Sequence, residues 1–268
     1  MSLPRLQGIY LSIGSAGDSM SDRSGRTSVS NYVVNALCRP LIAMWLQTAE
    51  MSDPQLPRPD RIHDGEAPTH HSDRVLLVGN GAAVGYGVLT HDLSLAGNLG
   101  RQLTTLTGRT TYVTVLADGG MTAGSALTAL RDADLEPYDA IVTTVGLNEA
   151  LGLSSTARWR REVDELVEFV LSPAAPRLQL FLVGVPPIDS VTAVPRLVRW
   201  ATDRHSLELN AHLAAACAGD ERVTFVPFAP GPAPDITRYR GSETYREWAL
   251  LIADPIARGL DHEHPDVQ

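Results

Sequence analysis

The chain has 268 residues, of which 44% are hydrophobic and 20% are charged, so it can fill one large α/β domain or a smaller domain with an extension. Its net charge of −9 and its pI of about 5.3 argue against a nucleic-acid-binding protein, because phosphate contacts need clustered basic side chains. The sequence contains no lysine, which excludes any lysine-based mechanism, and its two cysteines have neither disulfide nor metal-ligand spacing, so we expect no metal and no cofactor.

Residues 1–73 are interpreted as an N-terminal extension. The first 30 residues are rich in Ser, Gly and Asp and predict loosely ordered chain, whereas Asp53–Asp73 holds four prolines and predicts a linker or surface strap. Between them, Tyr32–Gln47 is apolar around most of its circumference and predicts a helix, interrupted at Pro40, that packs on the main domain. It lacks the basic polar face of membrane-surface helices, so membrane contact is the less favoured interpretation. With no signal-peptide pattern and no run of ~18 apolar residues, the sequence predicts a cytoplasmic protein.

From residue 74 to residue 260, strand patterns alternate with helix patterns. The predicted strands are Val75–Val78, Thr111–Leu116, Ala140–Val145, Leu178–Val183 and Val223–Val226. The predicted helices are Leu93–Thr107, Ser125–Arg131, Ala157–Leu171, Arg196–Ala218 and Gly241–Gly259. This alternation predicts one α/β domain with a doubly wound, mostly parallel sheet of five strands, followed by a tail over 261–268.

Glycine-bearing turns follow the first three strands in succession. They are Gly79-Asn80-Gly81, then Asp118-Gly119-Gly120-Met121-Thr122, then Gly146-Leu147-Asn148-Glu149. Each turn follows the carboxyl end of its strand, so in a parallel sheet all three should meet at one edge, where α/β proteins bind ligands.

These turns, in this order, resemble those of the SGNH/GDSL hydrolases, and the resemblance covers about Arg74–Ala253. It implies a flavodoxin-like three-layer α/β/α sandwich and esterase chemistry. In the family, the first turn carries the nucleophilic serine, and the second and third supply a glycine and an asparagine of the oxyanion hole. Carried over to this sequence, Gly120 matches the oxyanion glycine and Asn148 the oxyanion asparagine.

The three catalytic positions of the family are substituted in this sequence. Gly81 stands at the position of the nucleophile. Counting back from the helix around Tyr245 puts Ile236 at the position of the acid and Tyr239 at that of the base; a one-residue deletion would put Arg240 at the base instead. Acyl transfer needs a hydroxyl, a base and an orienting carboxylate, so we expect a non-catalytic, ligand-binding or regulatory pseudo-hydrolase.

We expect the residual oxyanion pocket, lined by Gly81, Gly120 and Asn148, to bind a small-molecule carboxylate, ester or acylated ligand. One alternative is an active esterase that acts on small acyl esters through another hydroxyl, such as that of Thr122 or Ser242. A second alternative is a structural or interaction module whose pocket has filled in. The oligomeric state stays open.

Two literal motifs lie outside the order of the family. Gly17-Asp18-Ser19 comes about 100 residues before Gly120, with no helix-sized segment that would join it to the sheet in the expected order. Asp261-His262-Glu263-His264 contains an Asp-x-x-His, but it follows the final helix and is interpreted as part of the solvated tail. We predict that neither motif belongs to the site.

Overall fold

The computed structural model describes residues 72–172, 177–191, 195–231 and 241–263. Several sequence predictions concern residues outside these ranges. They are the apolar segment Tyr32–Gln47, the literal Gly17-Asp18-Ser19, the acid and base positions Ile236 and Tyr239, and His264 of the C-terminal motif. These stay predictions.

The sheet has five strands, all parallel, in the order β2-β1-β3-β4-β5. The strands are β1 (Ser72–Gly79), β2 (Thr110–Ala117), β3 (Ala140–Thr144), β4 (Gln179–Val183) and β5 (Val223–Val226). This is the strand order of the flavodoxin-like doubly wound fold. The predicted fold class is confirmed.

The described residues contain six α-helices on the two faces and at one edge of the sheet. They are α1 (Leu95–Thr107), α2 (Ala123–Arg131), α3 (Leu147–Leu151), α4 (Thr156–Val170), α5 (Arg196–Ala216) and α6 (Ser242–Glu263). Helices α1 and α6 cover one face, and α2, α4 and α5 cover the other. Within the described ranges, no helix is both long enough and apolar enough to cross a membrane.

Successive residues of β1 alternate between the two layers of the core. Val75 and Leu77 pack with α1 and α6, and Leu76 and Val78 pack with the helices of the other face. None of these four side chains is more than 3% exposed. A strand covered on both faces needs apolar side chains at every position, which explains the unbroken apolar run in the sequence.

Two helices differ from the expectation from sequence. Helix α3 has five residues and begins directly after Gly146, so it is too short to show an apolar period. Helix α6 continues to Glu263, past the predicted end at Gly259, although Pro255 lies inside it. Its inner side is buried against the sheet on both sides of the proline, and this packing outweighs the lost backbone hydrogen bond.

The end of α6 lies at the amino-terminal edge of the sheet, opposite the three turns. Asp261 Oδ1 accepts a hydrogen bond of 2.9 Å from Arg109 Nη1, just before β2. Arg109 Nε also donates to Oδ1 of the fully buried Asp73 on β1, again at 2.9 Å. The C-terminal Asp-x-x-His therefore begins inside a helix and at the edge of the sheet remote from the turns.

Candidate functional site

The first three turns meet at the carboxyl edge of the sheet, as the sequence predicts. The backbone nitrogen of Asn80 donates to Thr144 O at 3.2 Å, and that of Asp118 donates to Gly79 O at 3.1 Å. In the ladder, Gly79 is level with the last residues of both β2 and β3. The ends of the three strands are therefore joined by backbone hydrogen bonds.

The carbonyl of Met121 joins the three turns through two asparagine side chains. It accepts hydrogen bonds from Asn80 Nδ2 at 2.7 Å and from Asn148 Nδ2 at 2.9 Å. Asn148 Nδ2 also donates to Gly119 O at 2.9 Å. The amide group of Asn148 therefore donates both of its hydrogens to backbone carbonyls of the second turn.

The backbone N–H of Gly120 also has an acceptor within the protein. It donates to Asp118 Oδ1 at 2.8 Å, and both residues are exposed to solvent. Of the three residues that the sequence predicts for ligand binding, Gly120 and Asn148 are thus close to each other, but the donors of both already have acceptors within the protein. A ligand would have to compete with these acceptors.

Gly81 lies in the turn directly after β1 and carries no side chain to act as a nucleophile. Its φ is +50°, a left-handed conformation that costs other residues roughly 1 kcal/mol. A Cβ placed on Gly81 would lie 3.3 Å from Cδ2 of Leu147, the mobile end of a side chain. A small side chain would therefore fit there with a slight movement of Leu147.

A partly open cavity lies beside the Gly81 turn, with an empty volume of about 360 Å³ that includes space open to solvent. Its walls come from the carboxyl ends of β1, β3 and β4 and from α6, and they are mostly apolar. The lining residues are Asn80, Ala82, Thr144, Val145, Leu147, Val183, Gly184, Pro186, Val191, Phe228 and Trp248. Gly120 and Asn148 do not line it, and its described wall contains no charged side chain.

Comparison with known proteins gives matches in structure only. No protein-family profile and no curated protein sequence matches the chain. The lipase Lip_vut3 from a goat rumen metagenome superposes with a TM-score of 0.55 at 13% identity, over 69% of this chain and 97% of that chain. A candidate lipolytic protein of the G-D-S-L family from Desulfitobacterium hafniense gives 0.50 at 13% identity, over 69% and 98%.

A family two carbohydrate esterase from Cellvibrio japonicus matches with a TM-score of 0.50 at 14% identity, over 73% of this chain. The match spans 63% of the esterase, less than two thirds of its length. The chain has the SGNH/GDSL hydrolase fold. Superpositions at identities this low establish the fold alone, and activity has to be argued from the site itself.

In this SGNH fold, Thr122 is the N-cap residue of α2, and hydrogen bonds fix its side chain. Its hydroxyl accepts a hydrogen bond from the backbone nitrogen of Ser125, and the side chain of Ser125 accepts one from the backbone nitrogen of Thr122. This reciprocal capping box satisfies two donors at the start of α2. No basic side chain is found among the recorded hydrogen-bond partners of the Thr122 hydroxyl.

Glu149 braces the second turn against the third. Its Oε1 accepts a hydrogen bond of 2.7 Å from the backbone nitrogen of Ala123, while Oε2 is buried without a hydrogen-bond partner among the described residues. Burial raises the pKa of the Glu149 carboxyl, and the charge of Glu162 adds to the rise, against the opposing effect of the Ala123 hydrogen bond. The carboxyl therefore ionises less readily than an exposed glutamate.

Tyr86 is a residue of the SGNH-fold site that the sequence analysis did not single out. A Cβ on Gly119 would overlap the Tyr86 hydroxyl, so this phenol lies directly against the second turn. Tyr245 Oη donates to the carbonyl of Tyr86 at 2.9 Å and ties the loop to α6. The available signal was Tyr86 between two glycines, Gly85 and Gly87, which both have positive φ.

Within the described ranges, no three His, Cys, Asp or Glu side chains are grouped as a metal site would require. The polar groups that line or border the site are amides, hydroxyls, backbone groups and the carboxylates of Asp118 and Glu149. They can position a ligand through hydrogen bonds, and the apolar cavity beside them can hold a short apolar group.

Proposed function

We propose that this protein is a non-catalytic SGNH-fold protein that binds a small ester or acylated ligand, or uses such a ligand to regulate a partner. The observation that carries the proposal is Gly81, the residue that stands where the family places its nucleophilic serine. The substituted acid and base positions, Ile236 and Tyr239, support it from the sequence. Without a hydroxyl, a base and an orienting acid, the family's acyl-transfer mechanism has no first step.

The alternative, an esterase with a different nucleophile, finds less support in the geometry. Thr122 is engaged in the capping box of α2, and Ser242 is the first residue of α6. A serine or threonine hydroxyl is a weak nucleophile until a neighbouring base accepts its proton. For Thr122 the described contacts offer only Ser125, which is not a base at neutral pH.

The chemistry of the site favours a neutral ligand over a carboxylate. Gly120 and Asn148 stay the proposed contacts for the polar end of the ligand, together with the backbone at Gly81. Asp118 already occupies the Gly120 donor and carries a negative charge that repels a second carboxylate. An ester or acyl group brings an oxygen that can compete for these donors, together with an apolar part that suits the cavity.

The catalytic half of the proposal is tested with short p-nitrophenyl esters and a fluorophosphonate probe. We expect no turnover above a heat-treated control and no covalent labelling. Turnover above that control that is lost in Thr122→Val or in Ser242→Ala would establish the esterase alternative and overturn the proposal.

The binding half is tested by calorimetric titration with ethyl butyrate and with butyrate. Ala82→Leu places a larger side chain in the cavity wall, and we expect it to weaken ethyl butyrate binding about tenfold. Ala218→Leu makes the same change at an exposed position and should leave binding unchanged. If the wild-type protein binds neither compound, or Ala82→Leu binds as well as wild type, the cavity is not the ligand site.

A further inference from the structure

Helix α5 carries a second apolar stripe on its solvent side. Leu197, Trp200 and Leu207 are 51%, 48% and 70% exposed, and the guanidinium carbon of Arg204 lies 5.8 Å from the centre of the Trp200 ring. Successive members are separated by three, four and three residues, the spacing of one helical face. We call these four residues the outer α5 face.

The outer α5 face differs from scattered surface leucines. The opposite side of α5 is already buried, with Leu209 and Leu213 in the core beneath α4 and the sheet. An outer-layer helix that packs on a sheet needs one apolar side, so a second apolar side with a half-exposed tryptophan indicates a further helical partner.

The outer α5 face combines apolar side chains with one positive charge, that of Arg204. The cation also lies over Trp200, so the apolar ring and the positive charge are recognised together.

Tyr32–Gln47 of the same chain has the apolar side chains that could cover this face. The segment is apolar around most of its circumference and lies outside the described residues, and as a helix it would be about 24 Å long. The chain between this segment and Ser72 can extend to roughly 80 Å, enough to reach either face of the domain.

The charge of the connecting chain also suits this end of α5. The connection carries five acidic side chains between residues 48 and 71, against two arginines: Glu50, Asp53, Asp60, Asp64 and Glu66. The first half of α5 carries Arg196, Arg199 and Arg204 against one carboxylate, that of Asp203, and Arg199 is paired with Asp189 at 3.3 Å. Opposite charges on the two segments favour docking near this end of the helix.

We propose that Tyr32–Gln47 docks on the outer α5 face of the same molecule. The proposal is independent of what the cavity binds, but the docked segment would lie next to residues that support one wall of the cavity. Leu207 is flanked along the helix by Asp203 and Asn210, whose Oδ1 atoms accept hydrogen bonds from the backbone nitrogens of Ile188 and Val185, at 2.9 and 2.7 Å. A segment seated on Leu207 therefore supports the residues that hold the loop after β4.

The test is hydrogen–deuterium exchange on the full-length chain. Leu207→Glu places a charge in the outer α5 face, and we expect exchange of the amides in 32–47 to rise about tenfold. Leu250→Glu makes the same change at a leucine of α6 that is 55% exposed, and it should leave those amides unchanged. Unaltered exchange in β1 and β3 confirms that both variants are folded.

Each other outcome overturns the proposal. Exchange in 32–47 that is the same in wild type and Leu207→Glu means that the segment does not use this face. An equal rise in both variants means that the effect is unspecific. A wild-type dimer in light scattering that becomes a monomer in Leu207→Glu would assign the face to a second copy of the chain.

Discussion

The carboxylate of Asp118 lies 2.8 Å from the backbone nitrogen of Gly120 and accepts its hydrogen bond. This contact places a negative charge at the donor that the family resemblance assigns to oxyanion binding. Both residues are exposed, so a ligand that approaches the second turn meets the charge of Asp118 before it reaches the N–H group. We therefore expect the ligand preference of the proposed site to depend on Asp118.

Removing this carboxylate should make the site more tolerant of anions. In Asp118→Ala we expect the affinity for butyrate to rise roughly two- to fivefold relative to that for ethyl butyrate, the size of effect that exposed charges have. Competitive calorimetry measures the ratio. Asp134→Ala is the matched control, because Asp134 Oδ1 accepts a similar turn hydrogen bond from the backbone nitrogen of Glu136 at 3.1 Å. An equal shift in the control would show that only net charge matters.

Restoring a hydroxyl at position 81 should not restore catalysis. We expect Gly81→Ser to fold, to lose about 1 kcal/mol of unfolding free energy because of its positive φ, and to show no esterase activity. Gly81→Ala has the same backbone cost without the hydroxyl and serves as the control in urea unfolding and in the p-nitrophenyl ester assay. Activity in the serine variant alone would reveal a base near position 81.

Glu149 should make the stability of the protein fall as pH rises. The pKa of Glu149 is raised in the folded state above the ordinary value of 4.5. At pH values between 4.5 and the folded pKa, the folded chain therefore holds a proton that the unfolded chain has lost. Its stabilising contribution is full below pH 4.5 and is lost as the pH rises through the folded pKa.

Glu149→Gln has no such titration and keeps an oxygen that can accept the Ala123 hydrogen bond. In urea titrations from about pH 4 to 8, the unfolding free energy of Glu149→Gln should therefore rise relative to that of wild type. Glu243→Gln, at the exposed start of α6, should follow wild type throughout. A constant difference between Glu149→Gln and wild type would contradict the expected titration.

Arg109 should contribute strongly to stability at the edge of the sheet remote from the site. Arg109→Leu removes the ion pairs with Asp73 and Asp261, and the Asp73 side chain is fully buried, so we expect a loss of about 3 kcal/mol in urea unfolding. Arg258→Leu breaks the exposed pair with Asp254 and should change stability by less than about 0.5 kcal/mol. Similar losses in both variants would show that burial of the pair is unimportant.

The five-stranded sheet could be predicted from the sequence because its central strands β1, β3 and β4 are covered on both faces. Runs such as Val75–Val78 are apolar at every position, and amphipathic helices separate them. Parallel strands put their carboxyl ends at one edge, so the convergence of the three turns followed from chain order alone. The sequence also determined that position 81 has no side chain.

Only the tertiary structure decided where the polar groups at that edge point. Asn148 donates to carbonyls more than 25 residues away in sequence, and the Asp118 hydrogen bond depends on the conformation of the second turn. The cavity likewise combines residues from five separate parts of the chain, from Asn80 to Trp248. The residue types determine which donors and apolar groups are present. Turn dihedrals and strand register determine which of these groups come into contact, and no local sequence pattern encodes those contacts.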